Sequence, residues 1–180
     1  MSRIDDTRDF IPARIAILTV SDTRGPDDDR SGDTLVARLQ EAGHALAARA
    51  IVTDDREMIA AKLREWCDGG AVDVVISTGG TGLTGRDVTV EAHRDVYEKE
   101  IEAFSIVFTH VSMQKIGTSA VQSRATGGVR NGTYLFALPG STGACNDAWD
   151  EILKWQLDYR HRPCNFIEIL PRLDEHRRRK

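Results

Sequence analysis

Ile15-Ala16-Ile17-Leu18-Thr19-Val20 runs directly into Ser21-Asp22-Thr23-Arg24-Gly25. The first six residues are short, apolar and rich in β-formers, which predicts a strand buried on both faces. The polar stretch after them ends it. Leu35, Val36, Leu39 and Ala42 then fall on one helical face, with Gly43 where a C-terminal cap belongs. Residues 45–52 read as a second strand leading into Thr53-Asp54-Asp55. A second helix is marked by Ile59, Leu63 and Trp66 and stops at Gly69-Gly70. Residues 72–77 form a third strand. Strands alternating with helices in this way imply βαβ units, a mostly parallel, doubly wound sheet, and right-handed crossovers that put helices on both faces.

The second half has a different rhythm. Ile101, Phe104, Phe108 and Val111 mark a long amphipathic helix ending at Gly117. Asn131-Gly132 separates Gly128-Val129-Arg130 from Thr133-Tyr134-Leu135-Phe136, and this dipeptide accepts positive φ at both central positions of a hairpin turn. One strand near an edge should therefore run antiparallel. After Leu138-Pro139-Gly140, Ser141 is placed to cap a last long helix carrying Cys145, Trp149 and Ile152. Residues 166–170 are expected to return as a final strand. Trp66, Trp149 and Trp155 lie on helical faces and read as core or interface.

The 180 residues predict a single α/β domain over 1–180, with flexible ends at about 1–10 and 173–180. Net charge is −4, and the tail His176-Arg177-Arg178-Arg179-Lys180 carries four positive charges, leaving about −8 on the rest. That balance excludes a nucleic-acid binder with a basic folded face. The tail is either a solvated end or a contact for anionic partners. Cys67, Cys145 and Cys164 are widely spaced, so neither a disulfide framework nor a structural zinc site is expected. The N-terminal residues show no signal-peptide run and no stretch is long and apolar enough for a membrane span, so cytoplasm is the expected compartment, without membrane association.

Ligands of open α/β sheets bind outside the carboxyl ends of the parallel strands. Four loops leave strands there, beginning at Ser21-Asp22, Asp54-Asp55, Thr78-Gly79-Gly80-Thr81-Gly82 and Pro139-Gly140-Ser141. The glycines allow tight turning and close approach of a ligand, and their N–H groups can form an anion nest, with Thr78 and Thr81 as hydroxyl donors. The loop is neither a P-loop nor a dinucleotide fingerprint, and it can equally be a plain turn. Asp87, in Arg86-Asp87-Val88-Thr89, is either a Mg²⁺-directed carboxylate or a charge favouring the next helix N-terminus, with Thr89 as its N-cap. Asp54 is a second metal-directed carboxylate or a helix cap. Ser31 is expected to cap the first helix, with Asp33 in its first turn. At Ser123-Arg124, the arginine can clamp phosphate or form a subunit salt bridge. Pro139-Gly140-Ser141 can contact ligand or simply turn the chain.

In this order, these residues resemble the MoaB/MogA family of molybdenum cofactor biosynthesis proteins. The carrying motifs are residues 15–22, Ser31-Gly32-Asp33, Thr78-Gly79-Gly80-Thr81-Gly82 with Arg86-Asp87-Val88-Thr89, Ile116-Gly117, Ser123-Arg124-Ala125 and Leu138-Pro139-Gly140-Ser141. Phe10-Ile11-Pro12 and Arg162-Pro163-Cys164-Asn165-Phe166 look like the bacterial MoaB branch. Thr53, Val90 and Ala103 depart from the family's usual proline, proline and glycine. The resemblance implies a three-layer α/β/α sandwich, a molybdopterin site and Mg-ATP-dependent adenylylation of molybdopterin, releasing pyrophosphate. It implies catalytic and metal-holding roles for Asp54 and Asp87, and substrate contacts from Ser21, Asp22, residues 78–82, Ser123, Arg124 and residues 139–141. It also implies a homo-oligomer, a hexamer or else a trimer, and contact with other cofactor-assembly proteins. The alternative function is a non-catalytic molybdopterin-binding or assembly protein.

Overall fold

A computed structural model describes residues 3–178. After β1 (Arg3–Ile4), the chain forms β2 (Arg14–Val20), α1 (Arg30–Glu41), β3 (Ala45–Val52), α2 (Arg56–Asp68), β4 (Val74–Thr78), α3 (Thr89–Arg94), β5 (Lys99–Glu100) and α4 (Glu102–Ile116). Then come β6 (Thr126–Arg130), β7 (Thr133–Leu138), α5 (Thr142–Ala148), a π-helical turn at Trp149–Leu153, α6 (Lys154–Gln156), β8 (His161–Arg162), α7 (Phe166–Ile169) and α8 (Glu175–Arg178).

The main sheet has six strands in the order β3-β2-β4-β7-β6-β5. Its first four strands are mutually parallel, β6 runs against β7, and the two-residue β5 pairs antiparallel with β6. This is the mostly parallel sheet with one reversed strand that the pattern predicts. Asn131 and Gly132 take φ of 46° and 81°, the turn that reverses it.

Alternation along the strands sorts side chains into two cores. Ile15, Ile17, Val74, Ile76, Tyr134 and Phe136 face one side, against Leu35 and Leu39 of α1, Phe104 and Phe108 of α4, and Trp149. Ala16, Leu18, Val75 and Leu135 face the other, against Ile59 and Leu63 of α2 and Ala92 of α3. Every residue of β4 and β7 is buried, as a strand covered on both faces requires.

Several local expectations need correction. Residues 166–170 do not form a strand. Asn165 Oδ1 accepts the Glu168 amide at 2.8 Å and caps α7 instead, while Phe166 packs against Tyr134 with ring centroids 4.7 Å apart. The strand in that region is β8, which pairs with β1, so residues expected to be flexible take part in a small second sheet. Met1, Ser2, Arg179 and Lys180 lie outside the described residues, but Arg177 of the basic tail pairs with Glu98 and Asn131. The first helix is capped by Asp29 rather than Ser31, because the Asp29 carboxylate accepts the Gly32 amide at 3.0 Å. α4 buries Phe104, Phe108 and Val111 but is not amphipathic: Ile106, Val107, Met113 and Ile116 are exposed on its outer side.

Two histidines are locked into these cores. His44 accepts the Ala13 amide at Nδ1 (3.1 Å), and His93 sits between Ser77 Oγ (2.8 Å) and Tyr97 OH (3.1 Å). Burial pushes His44 down to about 4 and His93 to about 3, against 6.5 for the free side chain. A neutral imidazole in the folded state stabilises it fully above pH 6.5, and that stability is lost as pH falls toward the folded values. Each histidine should lower the unfolding free energy by up to about 1.4 kcal/mol per pH unit below its unfolded pKa. Urea titrations at several pH values between neutral and mildly acidic should show this slope, and His44→Gln should flatten part of it. A level profile would contradict the assignment.

Candidate functional site at the carboxyl edge of the sheet

Because β2, β3, β4 and β7 are parallel, the loops after Val20, Val52, Thr78 and Leu138 emerge together. The glycine loop is wedged among the others. Gly79 has φ of +100°, and a Cβ there would lie 2.2 Å from the Val20 carbonyl oxygen. A Cβ on Gly140 would meet Gly79 Cα at 3.1 Å. Neither position has room for a side chain. Thr78 is fully buried, and its hydroxyl donates to the Pro139 carbonyl at 3.1 Å, tying the two loops together. Thr89 is the first residue of α3 rather than its N-cap. Its hydroxyl donates to the Gly79 carbonyl at 2.8 Å, and its amide to the Gly80 carbonyl at 2.9 Å.

The two acidic candidates meet this loop at different points. A Cβ on Gly80 would lie 2.5 Å from Asp54 Oδ1, and one on Gly82 would lie 2.8 Å from Asp87 Oδ2. The helix after β3 is capped by Asp55, which accepts the Met58 amide at 2.9 Å, so Asp54 is not needed as a cap. Asp54 is half-buried. Burial raises its carboxyl pKa first, followed by the negative charge of Asp22, with Asp87 adding in the same direction. Asp22 is exposed, accepts the Asp54 amide at 3.1 Å and pairs with Arg86, which lowers its pKa. Asp87 accepts the Thr84 hydroxyl at 2.6 Å and the Thr84 amide at 2.8 Å, and these bonds hold its pKa down. Among the described residues, no three His, Cys, Asp or Glu side chains gather as a closed metal site.

Arg124 is placed behind the glycine loop. It donates to the carbonyls of Thr81 (2.9 Å), Gly82 (3.0 Å) and Asp87 (3.1 Å) and pairs with Glu91. The arginine is engaged within its own chain. Ser123 ends the 3₁₀ turn before β6. Ser21 Oγ accepts the Arg24 amide at 3.1 Å, and Ser141 caps α5 by accepting the Ala144 amide at 3.2 Å.

The sequence reading passed over Arg24 and Asp29. Asp29 is fully buried, accepting from Thr19 Oγ1 (2.8 Å) and Arg49 (2.7 Å) as well as Gly32. A Cβ on Gly32 would overlap its carboxylate at 2.1 Å. The signal was present in the Asp-x-x-Gly spacing of a helix start. Arg24 Nη1 donates to Ser31 Oγ at 2.9 Å and Nη2 to the Gly140 carbonyl at 3.2 Å, across a cleft of about 500 Å³.

A family model described as "Probable molybdopterin binding domain" matches residues 16–159. The chain belongs to this molybdopterin-binding family of molybdenum cofactor biosynthesis proteins. Molybdenum cofactor biosynthesis protein B of Escherichia coli (strain K12) is 51% identical over 158 residues, covering 88% of this chain and 93% of its own. The Bacillus subtilis (strain 168) protein of the same name is 39% identical, over 78% and 83% of the two chains. The crystal structure of a molybdenum cofactor biosynthesis protein B superposes with a TM-score of 0.80 at 40% identity, covering 82% of this chain and 92% of that one. The tungsten cofactor synthesizing protein MoaB from Pyrococcus furiosus does so with 0.71 at 34%, covering 78% and 90%. The family match begins within β2 and includes all four strand-end loops. No helix among the described residues is long and apolar enough to cross a membrane.

Substitution should separate the wedged glycine from a free one. Gly79→Ala forces an L-residue into positive φ against backbone, and should cost about 1–3 kcal/mol with a lowered melting temperature. Gly25→Ala, with nothing within 4 Å of the added carbon, should leave melting nearly unchanged. Equal melting temperatures for the two variants would contradict the packing described.

Proposed function

We propose that this chain binds molybdopterin at the carboxyl edge of its sheet and adenylylates it with Mg-ATP. One observation carries the reading: Asp54 and Asp87 both abut the glycine loop, one at Gly80 and the other at Gly82. The loop is thereby a backbone surface flanked by two carboxylates from different strand ends.

The residues fit a magnesium ion accompanying a nucleotide. Mg²⁺ is held by one or two carboxylates plus phosphate oxygens rather than by an all-protein cage, and the described residues offer carboxylates without a closed cluster. Asp22 and Asp87 raise the proton affinity of Asp54, and a cation relieves that repulsion. Asp54 and Asp87 would hold the ion, which would neutralise phosphate charge.

In the reaction, an oxygen of the pterin's terminal phosphate forms a bond to the α-phosphorus of ATP. The bond from that phosphorus to the β-phosphate bridging oxygen breaks, and pyrophosphate leaves with the electron pair. No protein nucleophile is required. Joining two polyanions rests on positioning and charge neutralisation. The absence of Cβ atoms at Gly79, Gly80 and Gly82 lets the loop pack against Val20, Thr89, Asp54 and Asp87, and Arg124 braces it through its carbonyls.

A second reading, binding without catalysis, is favoured by a specific fact. The Asp87 carboxylate already orders the loop through Thr84. Purified protein, molybdopterin and Mg-ATP, assayed for adenylylated product, should show turnover. Asp54→Asn and Asp87→Asn should each reduce it roughly 10²–10³-fold with smaller changes in molybdopterin affinity. Tight binding by the unmutated chain without product would establish the binding-only reading. Unchanged turnover in Asp87→Asn with a lowered melting temperature would reduce that residue to a loop brace.

We also propose that the chain is a homo-oligomer, a hexamer ahead of a trimer. Exposed apolar side chains grouped on one helix mark an interaction surface: α4 exposes Ile106, Val107, Met113 and Ile116, and Val107 lines a cleft of about 630 Å³ with Phe104, Trp155 and Phe166. Light scattering at micromolar concentration should exceed the 20.0 kDa of one chain, and Ile106→Glu should shift the distribution toward monomer. A monomeric unmutated chain would refute it.

A further inference from the structure

The arginines around the carboxyl edge differ in what they hold. Arg86 pairs with Asp22, Arg49 with Asp29 and Asp33, and Arg124 with Glu91. Each of these guanidinium charges is matched by a carboxylate of the same chain. Arg24 has a different set of partners. Its side chain donates to the Ser31 hydroxyl and the Gly140 carbonyl, both neutral. Its backbone is held by Ser21 Oγ. A guanidinium carries five N–H donors in a rigid fork, and the two contacts leave part of that fork available. The side chain is half-buried on the cleft of about 500 Å³ that also borders Ser141 and Thr142. Asp28 lies on the rim and is exposed.

We infer that Arg24 is a phosphate-binding residue of this site, receiving a phosphate group of the ligand in the cleft between the loop after β2 and the turn after β7. The inference rests on the proposed molybdopterin and ATP site. Ser31 and Gly140 hold the fork in place without neutralising it, so the positive charge is positioned before ligand arrives. A planar fork of this kind matches phosphate oxygens bidentately. Arg124, the arginine that sequence alone suggested, has its donors turned toward Glu91 and three carbonyls behind the glycine loop. Arg24 faces the cleft; Arg30 also borders it, but it is exposed, whereas Arg24 is half-buried and held by two hydrogen bonds. The phosphate it receives belongs to either the pterin or the nucleotide, and the two sources are separable by experiment.

Calorimetric titration of the full chain with molybdopterin, with phosphatase-treated molybdopterin and with ATP should be compared with Arg24→Gln. The variant should lose roughly tenfold to a hundredfold in affinity for one phosphorylated ligand, and bind the phosphatase-treated pterin as the unmutated chain does. Loss confined to molybdopterin places the pterin's phosphate in the cleft, and loss confined to ATP places the nucleotide's there. Unchanged affinity for both, or equal loss for the dephosphorylated pterin, overturns the inference. Arg24→Lys keeps the charge and loses the fork. It should recover part of the affinity, and if Arg24→Gln does not fold, unchanged phosphate affinity in Arg24→Lys overturns the inference instead. Binding is read without turnover. A chain that binds but forms no adenylylated product fails the proposed reaction and leaves the Arg24 result standing, whereas an unmutated chain that binds neither ligand overturns both.

Discussion

Parallel pairing of β4 with β7 forces the backbones of Gly79 and Gly140 against each other, and the rest of the site is arranged around that contact. Thr78 aligns with Leu138 in the sheet, so the next residues of the two strands leave it side by side. The Gly79 amide then donates to the Leu138 carbonyl at 3.1 Å, and the Thr78 hydroxyl to the Pro139 carbonyl. On its other side Gly79 is pressed on the Val20 carbonyl. Three strand ends therefore meet at one residue that has no space for a side chain. The positive φ of Gly79 and Gly80 turns the chain away from this junction, and Thr89 fastens the turn to the start of α3.

Electrostatics at the edge follow from which charges find partners inside the chain. Asp29 is wholly buried but receives Arg49, a hydroxyl and an amide, so its charge is compensated several times; a lone buried carboxylate would be costly. Asp54 lacks an arginine within bonding distance and sits near the negative charges of Asp22 and Asp87. Its raised pKa and the neutral partners of Arg24 are complementary signs of the same thing. Arg49, Arg86 and Arg124 are paired with carboxylates of this chain, whereas Asp54 and Arg24 have no such ion pair among the described residues. That is the expected pattern at functional sites, where stability is not the sole criterion.

The parts of this arrangement legible in the sequence are those set by short-range rules. The apolar run at 15–20, the helical spacing of Ile59 and Leu63, and Asn131-Gly132 each carry a local physical reason for their structure, and each appears where expected. The four strand-end loops follow from parallel topology alone. What was not legible depends on long-range partners. The Asp-x-x-Gly spacing makes Asp29 a candidate cap beside Ser31, and Arg49, twenty residues on and on the neighbouring strand, then fixes the Asp29 carboxylate. Residues 166–170 are apolar enough for a strand, and only the Asn165 cap and the pocket between Tyr134 and Phe136 make them helical. The outward apolar residues of α4 were hidden because the inward ones already satisfied helical spacing.

The glycine loop also separates the two halves of the edge. Gly79 borders Gly140, whose carbonyl Arg24 holds, while Gly80 and Gly82 border Asp54 and Asp87. Passing along these few residues leads from the cationic side of the site to the anionic side. The close contacts at Gly79, Gly80 and Gly82 leave no room for side chains there and keep the loop packed against both sides. The division suits a ligand that is itself divided, with one phosphate recognised directly by a guanidinium and others accommodated where carboxylates attract a cation. An anion small enough to reach only Arg24 would leave the repulsion at Asp54 unrelieved, and a cation alone would leave the Arg24 fork incomplete. On the proposed function, a polyanion lying across the loop with its own cation would answer both together.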